Sequence, residues 1–396
     1  MKQTLYLIFF NKVKSEFIAE VLARLAYMLY CLRYLIKRTV TRKRIVEGNV
    51  EEARRRISEI SGKPVSKIEI QNSTVDENID LSVIIPVYNY ESVLEAMLLS
   101  VLNQHTKFQY EVIVIDDGSR EPAKEILRKY ENEPKIMVIY QQNQGIAGAR
   151  NTGLSHARGK YIMFVDCDDT IRSDMIEKFL DEAYRSDVDI VIGAHALVKE
   201  KNGVEISRRN DIYSLKNLEG YHDGDSIMNY PGLPWGKVYK RELFEQVRFP
   251  LNYWYEDTIV HFLLFRLAKS YTYLPEVFYD YRWYEGNFSK IQSQSVPRAV
   301  QRYWMAELML EESRRIGLPS DAVEYKVLLR HLGSFLFKSI QDFEEQDRVA
   351  VFNVSCELVS KHQAQGCKKM PFMLRELEKS LLTKDYARWV LASTLL

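Results

Sequence analysis

Cysteine is scarce in this chain: Cys31, Cys167, Cys356 and Cys367 are the only four in 396 residues, and no two have metal-type spacing. That argues against a thiolate metal site and makes a reduced, cytoplasmic setting the default. Net charge is also nearly absent, at +1 from 55 basic and 54 acidic side chains, so the chain as a whole has no field for binding nucleic acid. Internal repeats, low-complexity tracts and a cleavage-type signal peptide are missing. No G-x-G-x-x-G opens the first helix after the first strand, which removes the dinucleotide fingerprint. What remains is a hydrophobic content of 46% with 28% charged residues, the composition of an ordinary globular protein. The length suffices for two domains and a large core.

The near-zero balance hides an asymmetry. Residues 1–44 carry ten Lys/Arg against Glu16 and Glu20, a local charge of +8. Lys12, Glu16, Glu20 and Arg24 recur every four residues as a polar stripe. Phe17, Ile18, Val21, Leu22, Leu25, Met28, Leu29, Leu32, Leu35 and Ile36 form an opposite, apolar face. The longest uncharged run here, Leu25 to Leu32, is too short to cross a bilayer. A basic amphipathic helix of this kind suits the inner face of an anionic membrane. It equally suits packing on the chain's own C-terminal part, or on a second subunit in a homo-oligomer. Residues 1–70 are thus read as a basic helical segment, with a second short helix from Val50 to Ile57 and a polar linker over 71–79.

From Leu81 the pattern becomes strand, helix, strand, helix. Apolar runs at 81–86, 110–115, 135–140, 160–165 and 188–192 read as buried strands, with helices over 91–102, 121–130, 146–157 and 174–184 between them. Such alternation predicts α/β architecture: right-handed βαβ units and a mostly parallel sheet flanked by helices. Ligands of these sheets sit beyond the carboxyl ends of the strands, so the loops carry the information.

The loop after the run 161–165 is the most informative. Asp166, Asp168 and Asp169 fall within four positions at the end of a buried strand. Carboxylates so close repel one another unless a cation neutralises them. Oxygen donors suit a hard divalent ion, Mg²⁺ or Mn²⁺, that also holds phosphates. A simple polar loop, with Asp168 or Asp169 capping the next helix, is the bland alternative. Pro86, Val87, Tyr88 and Asn89 follow the first strand, Asp117-Gly118 the second, and Asn143 to Asn151 the third. Asp117-Gly118 alone is a turn dipeptide. Carboxylates at two strand ends beside Arg150 near a helix start, however, suit a nucleoside diphosphate with its metal.

Leu81–Asn89 (LSVIIPVYN), Val114–Ser119 (VIDDGS), Asn143–Gly153 (NQGIAGARNTG) and Tyr161–Asp169 (YIMFVDCDD) resemble the family 2 glycosyltransferases with the GT-A fold. The resemblance covers roughly residues 80–290. It implies an inverting transferase that moves a sugar from a nucleoside-diphosphate sugar, uridine being the commonest base, to a glycan or lipid-linked hydroxyl. Pro86, Val87, Tyr88, Asn89 and Asp117 would surround the base, with Asn143, Gly145 and Arg150 on the nucleotide. Asp168 would bind the ribose with Asp166 nearby on the nucleotide, and Asp169, with Asp168 or Asp166, would bind the metal. The family also implies an acidic pair downstream, which Glu256 and Asp257 supply, Asp257 as general base. The bland reading of that pair is first-turn acids on a helix ending near Leu267. Trp235 and Lys237 lie in a segment resembling the acceptor side of bacterial surface-polysaccharide transferases. Arg282 falls in a segment, 279–289, resembling the loop that closes over the donor, where it would meet the pyrophosphate; an aromatic-rich core strand is the equal alternative for Tyr281 and Trp283. The insertion 197–233 is expected to help form the acceptor site.

Beyond Pro297 the period is helical to the end, an α-helical accessory domain over 296–396 in which His331 and His362 read as structural. Two rival functions fit less well. A sugar nucleotidyltransferase would want a basic, glycine-rich loop straight after the first strand, and Pro86–Tyr90 is not one. A silent nucleotide-binding scaffold would not need Asp168, Asp169 and Asp257 together.

Overall fold

Strand β1 (Leu81–Val87) is buried along its whole length, as an apolar run without alternation demands of a strand covered on both faces. It pairs in parallel with β2 (Tyr110–Asp116) on one side and β4 (Tyr161–Phe164) on the other, and β3 (Ile136–Tyr140) extends β2 in parallel. The computed structural model describes residues 16–66, 69–201, 204–211, 232–284, 296–363 and 370–395. Ahead of the sheet lie α1 (Glu16–Val40) and α2 (Val50–Ile60). The helices between strands are α3 (Glu91–Leu102), α4 (Glu121–Arg128) and α5 (Gly145–His156), and α6 (Met175–Ser186) follows the two-residue β5 (Thr170–Ile171).

The other half of the sheet departs from the parallel expectation. β6 (Ile190–Lys201) is twelve residues long, beyond the predicted 188–192, and continues into a hairpin with β7 (Val204–Asp211). β8 (Lys237–Lys240) inserts antiparallel between β4 and β6, and β9 (Tyr271–Trp283) runs parallel to β6. The strand order is β3-β2-β1-β4-β8-β6-β9-β5, with β7 on β6. Part of the insertion 197–233 is therefore strand. Its residues 221–224 lie outside the described residues, as do 285–289 of the segment expected to close over the donor. Residues 279–283 of that segment are the end of β9, not a loop.

Alternate residues of each central strand feed two apolar cores. Leu81, Val83 and Ile85 pack with α3 and α6 on one face. Ile84, Ile115, Ile162 and Phe164 pack with α5 and the C-terminal helices on the other. Phe164 meets Tyr239, Phe244 and Phe249 edge-on at centroid distances of 5.3–6.2 Å. The C-terminal helices are α7 (Val296–Arg315), α8 (Ala322–Arg330), α9 (Leu336–Ile340), α10 (Glu345–Lys361), α11 (Phe372–Leu382) and α12 (Tyr386–Leu395). A single predicted helix over 322–340 is interrupted by a π-turn, because Gly333 leaves helical backbone there (φ −92°, ψ −112°). His331 is buried beside Phe262 and Phe335 in that turn, and burial pushes its pKa well down, as a structural side chain requires.

The N-terminal helix packs on this C-terminal region. Ala19, Ala23 and Tyr34 are buried, and α1 lies against α12. The Tyr34 hydroxyl and the Arg38 guanidinium both donate to Glu376, at 3.1 and 2.8 Å. No helix among the described residues is long and apolar enough to cross a membrane.

Candidate functional site

The loops after β1, β2 and β3 are tied into one unit by Asp117. Its backbone N–H donates to Val87 O at 2.8 Å, which fixes the second loop against the first. One carboxylate oxygen accepts from Gln141 Nε2 at 2.7 Å and from the Gln144 N–H at 2.8 Å. Asn143 Nδ2 returns a bond to Asp117 O at 3.0 Å. The tight approach needs Gly118 at φ +80°, where an added Cβ would meet the Asn143 backbone at 3.1 Å. Burial raises the Asp117 pKa, and the donors of Gln141, Gln144 and Gly145 oppose that rise.

On the neighbouring loop, Asn89 and Tyr90 are consecutive non-glycine residues in the left-handed region, at φ 66° and 64°. Each such residue costs roughly 1–3 kcal/mol and persists only where neighbours over-determine it. Here the Asn89 N–H donates to Ser119 Oγ at 2.8 Å, and Asn89 Oδ1 accepts the Arg120 N–H at 2.9 Å. Tyr88 stands exposed beside them. Pro86 and Val87, expected at the base, are buried in β1, and the Val87 side chain belongs to the core.

The acidic loop leaves β4 in mid-sheet and reaches β5, which pairs with β9 at the far edge. Tyr279 of β9 sits under it. The Asp166 N–H donates to Tyr279 Oη at 3.1 Å, and that hydroxyl donates to Asp169 Oδ2 at 2.7 Å. The Arg282 N–H donates to Asp169 Oδ1 at 2.9 Å. Asp169 is fully buried, and burial with the charges of Asp168 and Asp166 pushes its pKa well above the usual range. Asp169, expected among the metal ligands, turns both oxygens into the fold and anchors the loop. Asp166 and Asp168 are only partly buried. Burial, then the charge of Asp166, pushes Asp168 up to about 7.

A second group of acids meets the loop through Arg150. This guanidinium, 2% exposed, donates from Nη2 to Asp166 Oδ1 at 2.9 Å and from Nη1 to Glu256 Oε1 at 2.7 Å, and lies 5.2 Å over the Phe249 ring. Burial opposes its charge, and the two carboxylates outweigh that, so its pKa is raised. Glu256 and Asp257 do lie in the first turn of the helical stretch that ends at Leu267, but neither caps it. Tyr255, at φ 85°, starts a short 3₁₀ turn, Glu256–Thr258, with no side-chain cap. Glu256 points at Arg150, and burial pushes its pKa up to about 7. Asp257 is also raised by burial, against the pull of Arg302 and Arg150.

Sequence reasoning missed the support from α7. Arg302 lies 3.7 Å over the Tyr255 ring and Arg298 3.7 Å over that of Trp254, while Gln301 Oε1 accepts the Trp254 N–H at 2.9 Å. No local signal in a helical period marks those three residues as neighbours of the acid pair. Tyr279 was equally hidden in an aromatic run.

The remaining candidates take structural places. Trp235 is buried in a stack, 4.5 Å from Tyr279 and 5.4 Å from Tyr281. Lys237 is buried and donates to Leu233 O at 2.6 Å, and burial lowers its pKa to about 7 against the charge of Asp257. Arg282 was expected on a pyrophosphate. Its guanidinium instead grips Glu200 of β6 at 2.7 and 2.8 Å.

No three carboxylate, His or Cys ligands assemble into a metal cage among the described residues. Asp166 and Asp168 on one loop do fit a hard divalent ion of the type that completes its shell with water and phosphate oxygens.

The sequence profile described as glycosyl transferase family 2 matches residues 82–248. Glycosyltransferase GlyA of Streptococcus pneumoniae is 32% identical over 253 residues, covering 62% of this chain and 35% of GlyA, so the chain spans about a third of that relative. The glycosyltransferase EpsJ of Bacillus subtilis is 30% identical over 240 residues, covering 58% of this chain and 68% of EpsJ. Among solved structures, Staphylococcus aureus TarS 1–349 in complex with UDP-GlcNAc superposes with a TM-score of 0.62 at 20% identity, over 80% of this chain and 91% of that one. That likeness establishes the fold, a GT-A sheet with a helical C-terminal region. With the profile, the relatives and the four motifs on one sheet edge, this chain is a member of glycosyltransferase family 2.

Proposed function

We propose that the chain transfers a sugar from a uridine diphosphate sugar to a hydroxyl of a glycan or lipid-linked glycan, with inversion at the anomeric carbon. The observation that carries this reading is the fork of Arg150 between Asp166 and Glu256, at 2.9 and 2.7 Å. It joins the nucleotide-side acidic loop to the downstream acid pair in one buried ion network.

In this reading Tyr88, Asp117, Asn143 and Gly145 hold the base, and Asp166 and Asp168 face the ribose and diphosphate. Asp166 and Asp168 would also hold Mg²⁺ or Mn²⁺, which when bound neutralises charge on the departing diphosphate. Glu256 is committed to Arg150, which leaves Asp257 as the base. Asp257 takes the proton as the acceptor oxygen attacks C1, and the bond from C1 to the diphosphate oxygen breaks with its electron pair on the diphosphate. A pKa raised by burial suits a base working near neutral pH. The uridine assignment draws on the donor seen in the TarS complex, a protein alike in fold.

The test is a thermal-shift screen of UDP, GDP, dTDP and CMP with and without Mn²⁺, followed by UDP release from UDP-sugars. UDP with Mn²⁺ is expected to stabilise the protein most. Asp257→Asn is expected to keep that shift and lose roughly 10²–10⁴-fold in turnover. No nucleotide shift at all, or an undiminished Asp257→Asn enzyme, would overturn the proposal.

A further inference from the structure

We infer that α1 docks the protein onto an anionic lipid surface through one defined face. Ile18, Val21, Leu25, Met28, Leu29, Leu32, Leu35, Ile36 and Val40 are all exposed, Met28 and Leu29 at 59% and 61%. At 3.6 residues per turn the nine fall within roughly 140° of the helix circumference. A contiguous apolar stripe of that size is rare on a monomer and marks an interaction site.

The helix cannot simply roll this stripe inward. Its opposite face is already in use: Ala19, Ala23 and Tyr34 are buried, and Tyr30 and Tyr34 hydrogen-bond Leu395 O and Glu376. Arg38 pairs with the same Glu376. These ties fix the rotation of α1 about its axis and aim the leucines outward.

Charge identifies the occupant. Arg24 borders the stripe on one edge and Arg33 on the other, both exposed, and Lys37, Arg42 and Lys43 continue the exposed cations at the helix end. Arg33, Lys37, Arg42 and Lys43 form no ion pair among the described residues. A stripe of leucines flanked by cations matches the boundary between lipid headgroups and acyl chains in an anionic leaflet. A second copy docked in parallel through the same stripe would set these cations against their own images, which like-charge repulsion disfavours. The inference does not rest on the donor or the chemistry proposed above, so the two fail separately.

The experiment is co-sedimentation of the full chain with vesicles containing phosphatidylglycerol, beside vesicles of phosphatidylcholine alone, at low and high salt. Binding is expected on the anionic vesicles only, and to weaken with salt. Two variants divide the two forces: Leu25→Gln/Leu29→Gln/Leu32→Gln, and Arg33→Gln/Lys37→Gln/Arg42→Gln/Lys43→Gln. At roughly fivefold per basic residue, the charge variant should lose at least about a hundredfold in vesicle affinity. The leucine variant should lose a comparable factor. Both should keep the wild-type unfolding midpoint, because none of these side chains packs on the fold. Wild-type protein that ignores anionic vesicles, or binds both kinds equally, overturns the inference. So does a wild-type dimer that the leucine variant splits without any effect of lipid.

Discussion

Removing one oxygen atom tests how the acidic loop is held. In Tyr279→Phe the ring keeps its stack on Trp235, 4.5 Å away and 9° from parallel, so apolar burial is unchanged. What goes is the hydroxyl that accepts from the Asp166 N–H at 3.1 Å and donates to Asp169 Oδ2 at 2.7 Å. Each lost bond costs roughly 0.5–1.5 kcal/mol net, and a buried polar group left without a partner costs roughly 1–3 kcal/mol. Asp169 is fully buried and keeps only the Arg282 N–H among the donors just described, so the two effects together should reach about 2–4 kcal/mol. Urea unfolding measures that loss directly. The functional effect should exceed the thermal one, because Asp166 and Asp168 are positioned by the same hydroxyl. Loss of a partner one step behind metal-binding carboxylates typically costs about 10–100-fold in metal affinity. The Mn²⁺ concentration giving half of the UDP-dependent thermal shift reads that factor. A destabilisation below about 0.5 kcal/mol, with unchanged Mn²⁺ dependence, would refute the idea that Tyr279 sets the loop.

Arg150→Met should cost about 3–5 kcal/mol in urea unfolding, because it strands Asp166 and Glu256 beside a buried site without their cation. Adding Glu256→Gln should return part of that loss, and a double variant no more stable than Arg150→Met would count against the shared ion network. Lys237 gives a pH signature. Its folded pKa is lowered to about 7 from 10.5, so between those values the unfolded chain holds a proton that the folded chain does not. Wild-type stability should therefore carry a contribution that rises with pH above about 7 and is flat below it. Lys237→Met should lack it, and parallel stability curves for the two proteins would show that the amine is not buried as described.

The parallel half of the sheet was legible because its strands are buried on both faces and read as unbroken apolar runs. The four loops were legible because three hold turn residues, Asn89, Gly118 and Gly145, and the fourth packs three carboxylates into four positions. The antiparallel half was not. β8 is four residues long, and β6 carries a hairpin partner over its polar end, Lys199–Lys201, where no apolar run betrays a strand. Asp169 looked like a metal ligand because sequence spacing cannot say which of several adjacent carboxylates turns inward. That choice is made by Tyr279 and the Arg282 N–H, more than a hundred residues away. Arg282, expected at a pyrophosphate, pairs with Glu200, a contact that depends on β6 lying beside β9 and that no local pattern shows.

The cradle that α7 makes for residues 254–257 bears on how such enzymes can be cut and recombined. The family profile stops at residue 248, ahead of both Asp257 and the helix that supports it. Arg298, Gln301 and Arg302 hold the turn of the proposed base from a segment that looks like an appendage in sequence. A chimera joined at the end of the sheet would inherit the loops of the proposed nucleotide site and an acid pair with nothing behind it. The smallest transplantable unit of this protein therefore runs through α7.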